Sequence, residues 1–367
     1  MNNIKIPVYQ PSLTGNEKKY VNECLDSNWI SSKGKFISLF EDEFSKYINI
    51  PHATTVSNGT VALHLALEAL GIGPGDEVIV PTFTYVASVN AIAYVGAKPV
   101  FVDSLEDTWQ LDPNDVKRKL TKSTKAIMAV HLYGHPCSML ELVEISKNNN
   151  LFLIEDCAEA FGSFYEDKHV GTFGDVSTFS FFGNKTITTG EGGMVVTPHK
   201  SLYERMLRLK SQGVAAHKQY WHDIVAYNYR MTNIQAAIGL AQLEQASNFL
   251  ESKRRIADYY RNNLKDIPIT FHNEVGAVVH SYWMCSVILE KSEWRDELRQ
   301  HLDSHGIETR PLFYPVHTMP MFSSNFEIHP VAEKLGVSGF NLPSWPGLSD
   351  DDLSYIVDKV KLFFEEK

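Results

Sequence analysis

Short apolar runs alternate with amphipathic stretches through the middle of the chain. EVIVP (77–81), KPVFVD (98–103), KAIMAVH (125–131), LFLIED (151–156), STFSFF (177–182) and GGMVVT (192–197) read as strands. Several run apolar without strict alternation, the pattern of strands buried on both faces. Between them SVNAIAYV (88–95), DPNDVKRKL (112–120) and SMLELVEISKNN (138–149) read as helices, the second N-capped by Asp112. This alternation predicts an α/β fold built on a mostly parallel sheet covered on both faces. In such sheets ligands bind outside the carboxyl ends of the strands. The residues at those ends are Thr82 to Tyr85, Asp103, His131 to His135 and Asp156 to Glu159.

Upstream, Thr14 with Glu17 fits a capping box opening a helix that runs to about residue 25, and a second helix is expected over 35–48. A long helix is expected over about 233–263. The last third then changes character: 280–289 reads as a strand, 293–306 as a helix ending at Gly306, and 350–366 as another helix. The expected division is a large domain over 1–249 and a smaller α+β domain over 250–367.

Composition narrows the class. The 367 residues, 44% hydrophobic and 21% charged, can bury a large core without metal or disulfide staples. Cys24, Cys137, Cys157 and Cys285 form no CxxC pair, which speaks against a zinc site or a disulfide framework and for a reducing, cytoplasmic setting. The N-terminus lacks signal-peptide character, and no run of about 18 apolar residues exists, so no membrane association is expected. A net charge of −10 disfavours nonspecific nucleic-acid binding, so an anionic substrate would need local basic groups. The glycine-rich 71–76 precedes a strand rather than following one, so it is no dinucleotide fingerprint. His131, His135 and Cys137 are interrupted by Gly134 and Pro136, and no metal is expected.

The stretch FSFFGNKTITTGEGG (179–193) carries a lone lysine, Lys185, just past a buried strand. A lysine there can be a solvated loop residue, or an amine desolvated for Schiff-base chemistry. Asp156 ends a strand at the ligand edge, where a carboxylate can pair with a protonated ring nitrogen or simply stay solvated. Ser57, Asn58, Gly59 and Thr60 open an amphipathic helix, as a plain N-cap or as a phosphate seat. Ser180 and Tyr85 lie at strand ends too, the first to meet the same edge, the second to lay a ring on a flat ligand. Each has an ordinary structural reading. Together they specify pyridoxal phosphate (PLP).

These segments carry a resemblance. VSNGTVALHLAL (56–67), GDEVIVPTFTYVAS (75–88), LIEDCAEAFG (153–162), FSFFGNKTITTGEGGM (179–194), YNYRMTNIQAAIGLAQL (227–243) and ETRPLFYPVHTMPMF (308–322) resemble the DegT-type, PLP-dependent sugar aminotransferases. The resemblance spans nearly the whole chain and implies the aspartate-aminotransferase-like (type I) fold. It implies Lys185 as the Schiff-base lysine and proton shuttle, and Asp156 as partner of the ring nitrogen. Glu159 would sit near the ring's phenolic oxygen, Tyr85 would stack on the ring, and Ser57, Gly59, Thr60 and Ser180 would hold the phosphate. Asn228 would reach the phosphate of a neighbouring subunit, so a homodimer with shared sites is implied. Ser31, Ser32, Lys33, Arg230, Arg310, Tyr314 and His317 would serve a nucleotide-sugar substrate, with L-glutamate as amino donor. SFFGNKTIT, QYWHDIVAYNYRMTN and RPLFYPVHTMPM look like members acting at C4 of GDP-linked 4-keto-6-deoxymannose, in surface-polysaccharide (O-antigen) synthesis. The alternatives are a dTDP- or UDP-linked ketosugar and a non-catalytic regulatory protein. A sugar dehydratase is disfavoured, because its histidine stands where Lys185 does. Glu191 has no assigned role.

Overall fold

The computed structural model describes residues 5–323, 327–365 and 367. Two helices, α1 (Glu17–Asp26) and α2 (Lys35–Ile48), precede the sheet. The chain then alternates β1 (His52–Val56), α3 (Gly59–Leu70), β2 (Glu77–Pro81), α4 (Val86–Tyr94), β3 (Lys98–Val102), α5 (Pro113–Lys119), β4 (Thr124–Val130), α6 (Met139–Asn149) and β5 (Phe152–Asp156). A small excursion, β6 (Phe164–Tyr165) and β7 (Lys168–His169), precedes β8 (Val176–Ser180) and β9 (Gly193–Thr197).

Seven of these strands form one sheet in the order β1-β9-β8-β5-β4-β2-β3. The pairs β2–β3, β2–β4, β4–β5 and β5–β8 are parallel, and only β9 runs against its neighbours. It is mostly parallel, as the continuous apolar runs predict, and mixed, as the type I fold implied by the resemblance requires. The reason shows in where side chains go. Val195 of β9 joins the core under α3, whereas Met194 and Val196 join an aromatic core of Phe40, Phe44, Phe179 and Phe181. Along β4, Ala126, Met128 and Val130 face one core, Ile127 and Ala129 another. With both faces buried, both are largely apolar.

After α7 (Lys200–Leu209), helices α8 (Asn233–Glu244) and α9 (Ala246–Asn263) lead into the second unit. There β10 (Ile269–Phe271), β12 (Cys285–Leu289), β13 (Arg310–Pro311) and β14 (Gly339–Leu342) form an antiparallel sheet ordered β10-β12-β14-β13, while β11 (Val278–Val279) pairs with β6. Residues of α9, α10 (Trp294–Ser304) and α12 (Asp350–Glu365) share its core, with α11 (Pro330–Ser338) between the last two strands and Ile6 added from the N-terminus. Glu366, which the sequence placed in α12, lies outside the described residues. Among the described residues no helix is long and apolar enough to cross a membrane.

Three sequence expectations change. The capping box at Thr14 does not form: Asn16 is the N-cap of α1. Glu17 instead accepts from Gly15 N (2.8 Å) and from Gln242 Nε2 (2.6 Å) of α8, so tertiary packing takes the carboxylate. The expected long helix is two, broken at Gln245 (φ −102°, ψ 1°) without any glycine or proline to announce it. A true capping box lies at Thr232 and Gln235 instead. Finally, the strand expected over 280–289 begins only at Cys285, because Tyr282 is left-handed (φ 48°) and its N–H turns back to His280 Nδ1 (2.9 Å).

His135, His272 and His280 are buried together at the seam between the two units. His272 stacks on Trp109 at 4.2 Å and bonds Thr108 O at 2.7 Å, and His280 stacks on Tyr282 at 3.9 Å. Burial holds all three below the usual histidine range, His272 and His280 far below. A histidine kept neutral by folding takes up its proton only on unfolding, so its contribution is lost as pH falls below about 6.5. Thermal unfolding midpoints should therefore drop between pH 6.5 and 5, each histidine adding up to about 1.4 kcal/mol per pH unit. The drop should be shallower in His272→Gln. An equal slope in that variant would remove His272 from the account.

Candidate active site

The carboxyl ends of β2, β4, β5 and β8 and the start of α3 open on one cleft of about 650 Å³. Trp283, Met284, Arg310, Pro311, Phe313 and Asn341 close it from the second unit. Asp156, the last residue of β5, is delivered there by the parallel register with β4 and β8. Its carboxylate accepts from Ser88 Oγ (2.8 Å) at the start of α4 and from Ala158 N (3.0 Å). Burial raises its pKa, with Ser88, Ala158 and the more distant charge of Lys185 pulling the other way. Such a carboxylate, held by neutral donors out of water, favours a cation beside it.

At the start of α3, Asn58 caps by accepting from Val61 N (2.9 Å), and the first turn carries no acid. The leading N–H groups and the helix dipole favour an anion there. Gly59 faces β8 so closely that a Cβ would stand 2.7 Å from Ser180 Cβ. Glycine at 59 is what allows the helix start and the Ser180 hydroxyl to share one seat.

Past Ser180 the chain turns, with Lys185 N bonded to Phe182 O (2.9 Å), and comes back as β9 through Gly190 in the left-handed region (φ 82°). Lys185 reaches into the cleft. Its Nζ is 3.8 Å from Glu159 Oε1 and 3.8 Å from the centre of the Trp283 ring. Burial depresses its pKa, against the attraction of Glu159 and Asp156. Burial also pushes Glu159 up to about 7, with Lys185 and the N–H of Tyr133 (2.8 Å to Oε2) countering. Burial thus works against both charges of the pair, and their mutual attraction works to keep them.

Tyr85, Glu159, Gly59, Thr60, Ser180, Lys185, Asp156 and Arg310 line this cleft, as does Glu191. Tyr85 is 56% exposed and its ring lies 5.6 Å from that of Phe313. The other candidates lie outside the lining. Ser57 donates its N–H to Tyr229 O (2.8 Å). Asn228 and Arg230 are exposed and bonded to each other at 3.2 Å. Ser31, Ser32 and Lys33 precede α2, and Lys33 borders a separate hollow with Trp29 and Asn233. Tyr314 lies against Arg295. His317 is tied between Thr82 Oγ1 (2.6 Å) and Glu333 Oε1 (3.2 Å). Asp103, another strand-end residue, is used to cap α11 through Val331 N and Ala332 N.

Sequence reasoning missed Ser88, Tyr133, Trp283, Phe313 and Asn341. Tyr133 is fully buried in a left-handed conformation (φ 56°) that aims its N–H at Glu159, and its ring stacks between Trp283 and Phe313. The only signal for Trp283 was the aromatic pair Tyr282-Trp283 ahead of a strand.

The donor set suits a flat, phosphorylated aldehyde with a basic ring nitrogen. An amine whose charge burial disfavours, a buried carboxylate held by neutral donors, an anion seat closed by Gly59 against Ser180, and aromatic walls all face one space. Residues 11–361 match the model of the DegT/DnrJ/EryC1/StrS aminotransferase family. The chain is 63% identical to the GDP-perosamine synthase of Escherichia coli O157:H7, covering 99% of each, and 55% identical to that of Vibrio cholerae, covering 98% of this chain and 99% of that one. Among solved structures, a Streptococcus pneumoniae chain assigned as a sugar aminotransferase and solved in its PLP form superposes with a TM-score of 0.93 at 29% identity, over 98% of this chain and 99% of that one.

Proposed function

The chain belongs to the DegT/DnrJ/EryC1/StrS aminotransferase family of PLP-dependent sugar aminotransferases, and from that premise we propose that it moves the amino group of L-glutamate to C4 of GDP-4-keto-6-deoxy-D-mannose. The products are GDP-perosamine and 2-oxoglutarate. The observation that carries the aminotransferase part is the meeting of Lys185, Asp156 and the α3 anion seat in one cleft. The sugar rests on the GDP-perosamine synthases that this chain resembles over nearly all its length.

When bound, PLP supplies an aldehyde carbon that exchanges amines and a protonated ring that accepts an electron pair. The chain's own residues do the rest. We assign the phosphate to the first turn of α3 with Gly59, Thr60 and Ser180. Asp156, fixed by Ser88 and Ala158, holds the proton on the ring nitrogen. With the cofactor in place, Lys185 would take the proton from Cα of the donor and pass it to the former aldehyde carbon, and in the reverse half take it back and deliver it to C4 of the sugar. One base positioned over both carbons serves both directions. Glu159 takes up or yields a proton beside Lys185, and Tyr85 covers the ring from the open side. Arg310, at the cleft wall, offers a guanidinium to the diphosphate of the substrate. Asn228 and Arg230, exposed and outside this cleft, complete the phosphate and substrate sites of a second copy in a homodimer, and Ser31, Ser32 and Lys33 serve the same shared site. We take the enzyme to act in the cytoplasm, in keeping with four buried free cysteines.

A product assay with glutamate and a panel of GDP-, dTDP- and UDP-linked ketosugars tests this. Conversion of the GDP-linked 4-keto-6-deoxymannose at least about a hundredfold faster than the others, by kcat/KM, is expected. Preference for a dTDP- or UDP-sugar would move the enzyme to another substrate, and no conversion of any would favour a regulatory protein.

A further inference from the structure

We propose that Trp283 is a positioning residue for Lys185: its ring face seats the amine, and its indole N–H pins the loop that carries it. The proposal rests on the aminotransferase reading for its function, but on geometry for its content. Trp283 is 4% exposed and reaches the cleft from the second unit. Its ring lies under Lys185 Nζ at 3.8 Å, and its Nε1 donates to Asn184 O at 2.7 Å, the carbonyl directly before Lys185. The next carbonyl, Lys185 O, accepts from Tyr9 Oη at 2.6 Å. Both peptide oxygens flanking the lysine are thus held by aromatic side chains from outside the loop.

One buried amine links the two holds. Lys253 Nζ, in the middle of α9, donates to Trp283 O (2.7 Å) and to Ser344 O (2.5 Å) and Oγ (3.2 Å), and lies 5.1 Å from the Tyr9 ring. Its bonds to main-chain oxygens fix Trp283 while leaving the ring free to face Lys185. The Tyr133 ring runs nearly parallel to it, ring centres 6.1 Å apart and planes 10° off. The Trp283 face therefore has one orientation, and the amine freed in each turnover has a defined place between that face and Glu159. A ring face stabilises an ammonium over it, which opposes the burial that depresses the Lys185 pKa.

The test uses two variants and reads Lys185 directly in the cofactor-free protein. The readouts are the pH midpoint of its labelling by an acylating reagent, quantified on the Lys185 peptide, and amide exchange over 183–188. Trp283→Leu removes both ring face and N–H. It should lower the midpoint by about half to one pH unit and speed exchange at least about tenfold. Trp283→Phe keeps a face and loses the N–H, so it should leave the midpoint within about 0.2 unit and still speed exchange. An unchanged midpoint in Trp283→Leu, or unchanged exchange in Trp283→Phe, overturns the proposal. If Trp283→Leu does not fold, the Phe variant still decides the hold on the loop. Because neither readout needs substrate, a chain that fails every ketosugar while showing these shifts keeps the positioning role and loses the proposed function.

Discussion

Lys185→Ala should leave a folded protein that turns over at least about 10⁴-fold more slowly, because one residue is asked to be both nucleophile and base. The loss should fall on kcat with glutamate and ketosugar alike, since the same amine is assigned to both half-reactions. Borohydride-treated wild-type protein should carry the cofactor's mass on the Lys185 peptide, and the variant on none. The substitution removes a side chain that burial already disfavours in its charged form, which offsets part of what losing the pair with Glu159 costs the cofactor-free protein. It also leaves Glu159 without its cation. Lys185 is what holds that carboxyl from rising further above about 7, so Glu159 should titrate at higher pH in the variant. Activity within tenfold of wild type would sink the mechanism, whatever the spectrum shows.

That Lys185 could be singled out at all follows from the fold. In a sheet whose strands are parallel and buried on both faces, only strand ends are free to carry chemistry. The apolar runs mark those ends to within a residue or two. Asp156, Ser180 and Tyr85 were singled out this way, and the Ser57-to-Thr60 turn as the start of a helix. The missed residues have a different origin. Trp283 comes from a segment with the composition of a strand, yet Tyr282 is left-handed and the ladder starts later. Tyr133 is likewise left-handed, in a short 3₁₀ turn. Tyr133 N–H is held by Glu159, 26 positions away, and Trp283 O by Lys253, 30 positions away, so nothing within a few residues encodes those contacts, while Tyr282 turns on the nearby His280. The same holds for Glu17, whose carboxylate serves Gln242 from 225 positions away rather than a local cap. The segments around Ser31, Asn228 and Tyr314 are legible by family resemblance only. In a single chain they lie outside the lining of the cleft, and the role proposed for Asn228 is tested by a second copy.

Asp156→Asn is the sharper test of how the cleft holds its cofactor. The amide has the carboxylate's shape: its oxygen can still accept from Ala158 N, and the Ser88 hydroxyl can rotate to accept from the amide nitrogen. What disappears is the charge. Burial raises the Asp156 pKa, so in the cofactor-free protein this group contributes stability that is complete below its unfolded value, about 3.9. That contribution is lost as pH rises through the folded value. At pH 7 the empty wild-type site therefore contains an unfavourable anion. The variant should unfold at the same temperature or higher without cofactor. With PLP the order should invert. The wild type gains a buried ion pair between Asp156 and the ring nitrogen, and removing one partner of such a pair costs about 3–5 kcal/mol. PLP should then stabilise the wild type by several degrees more than the variant, and kcat should fall about 10³-fold, because a ring nitrogen facing an amide no longer stays protonated to accept electrons. Equal stabilisation by PLP in both proteins would mean that Asp156 does not face the ring, and that its burial beside Ser88 serves the join of β5 to α4 instead.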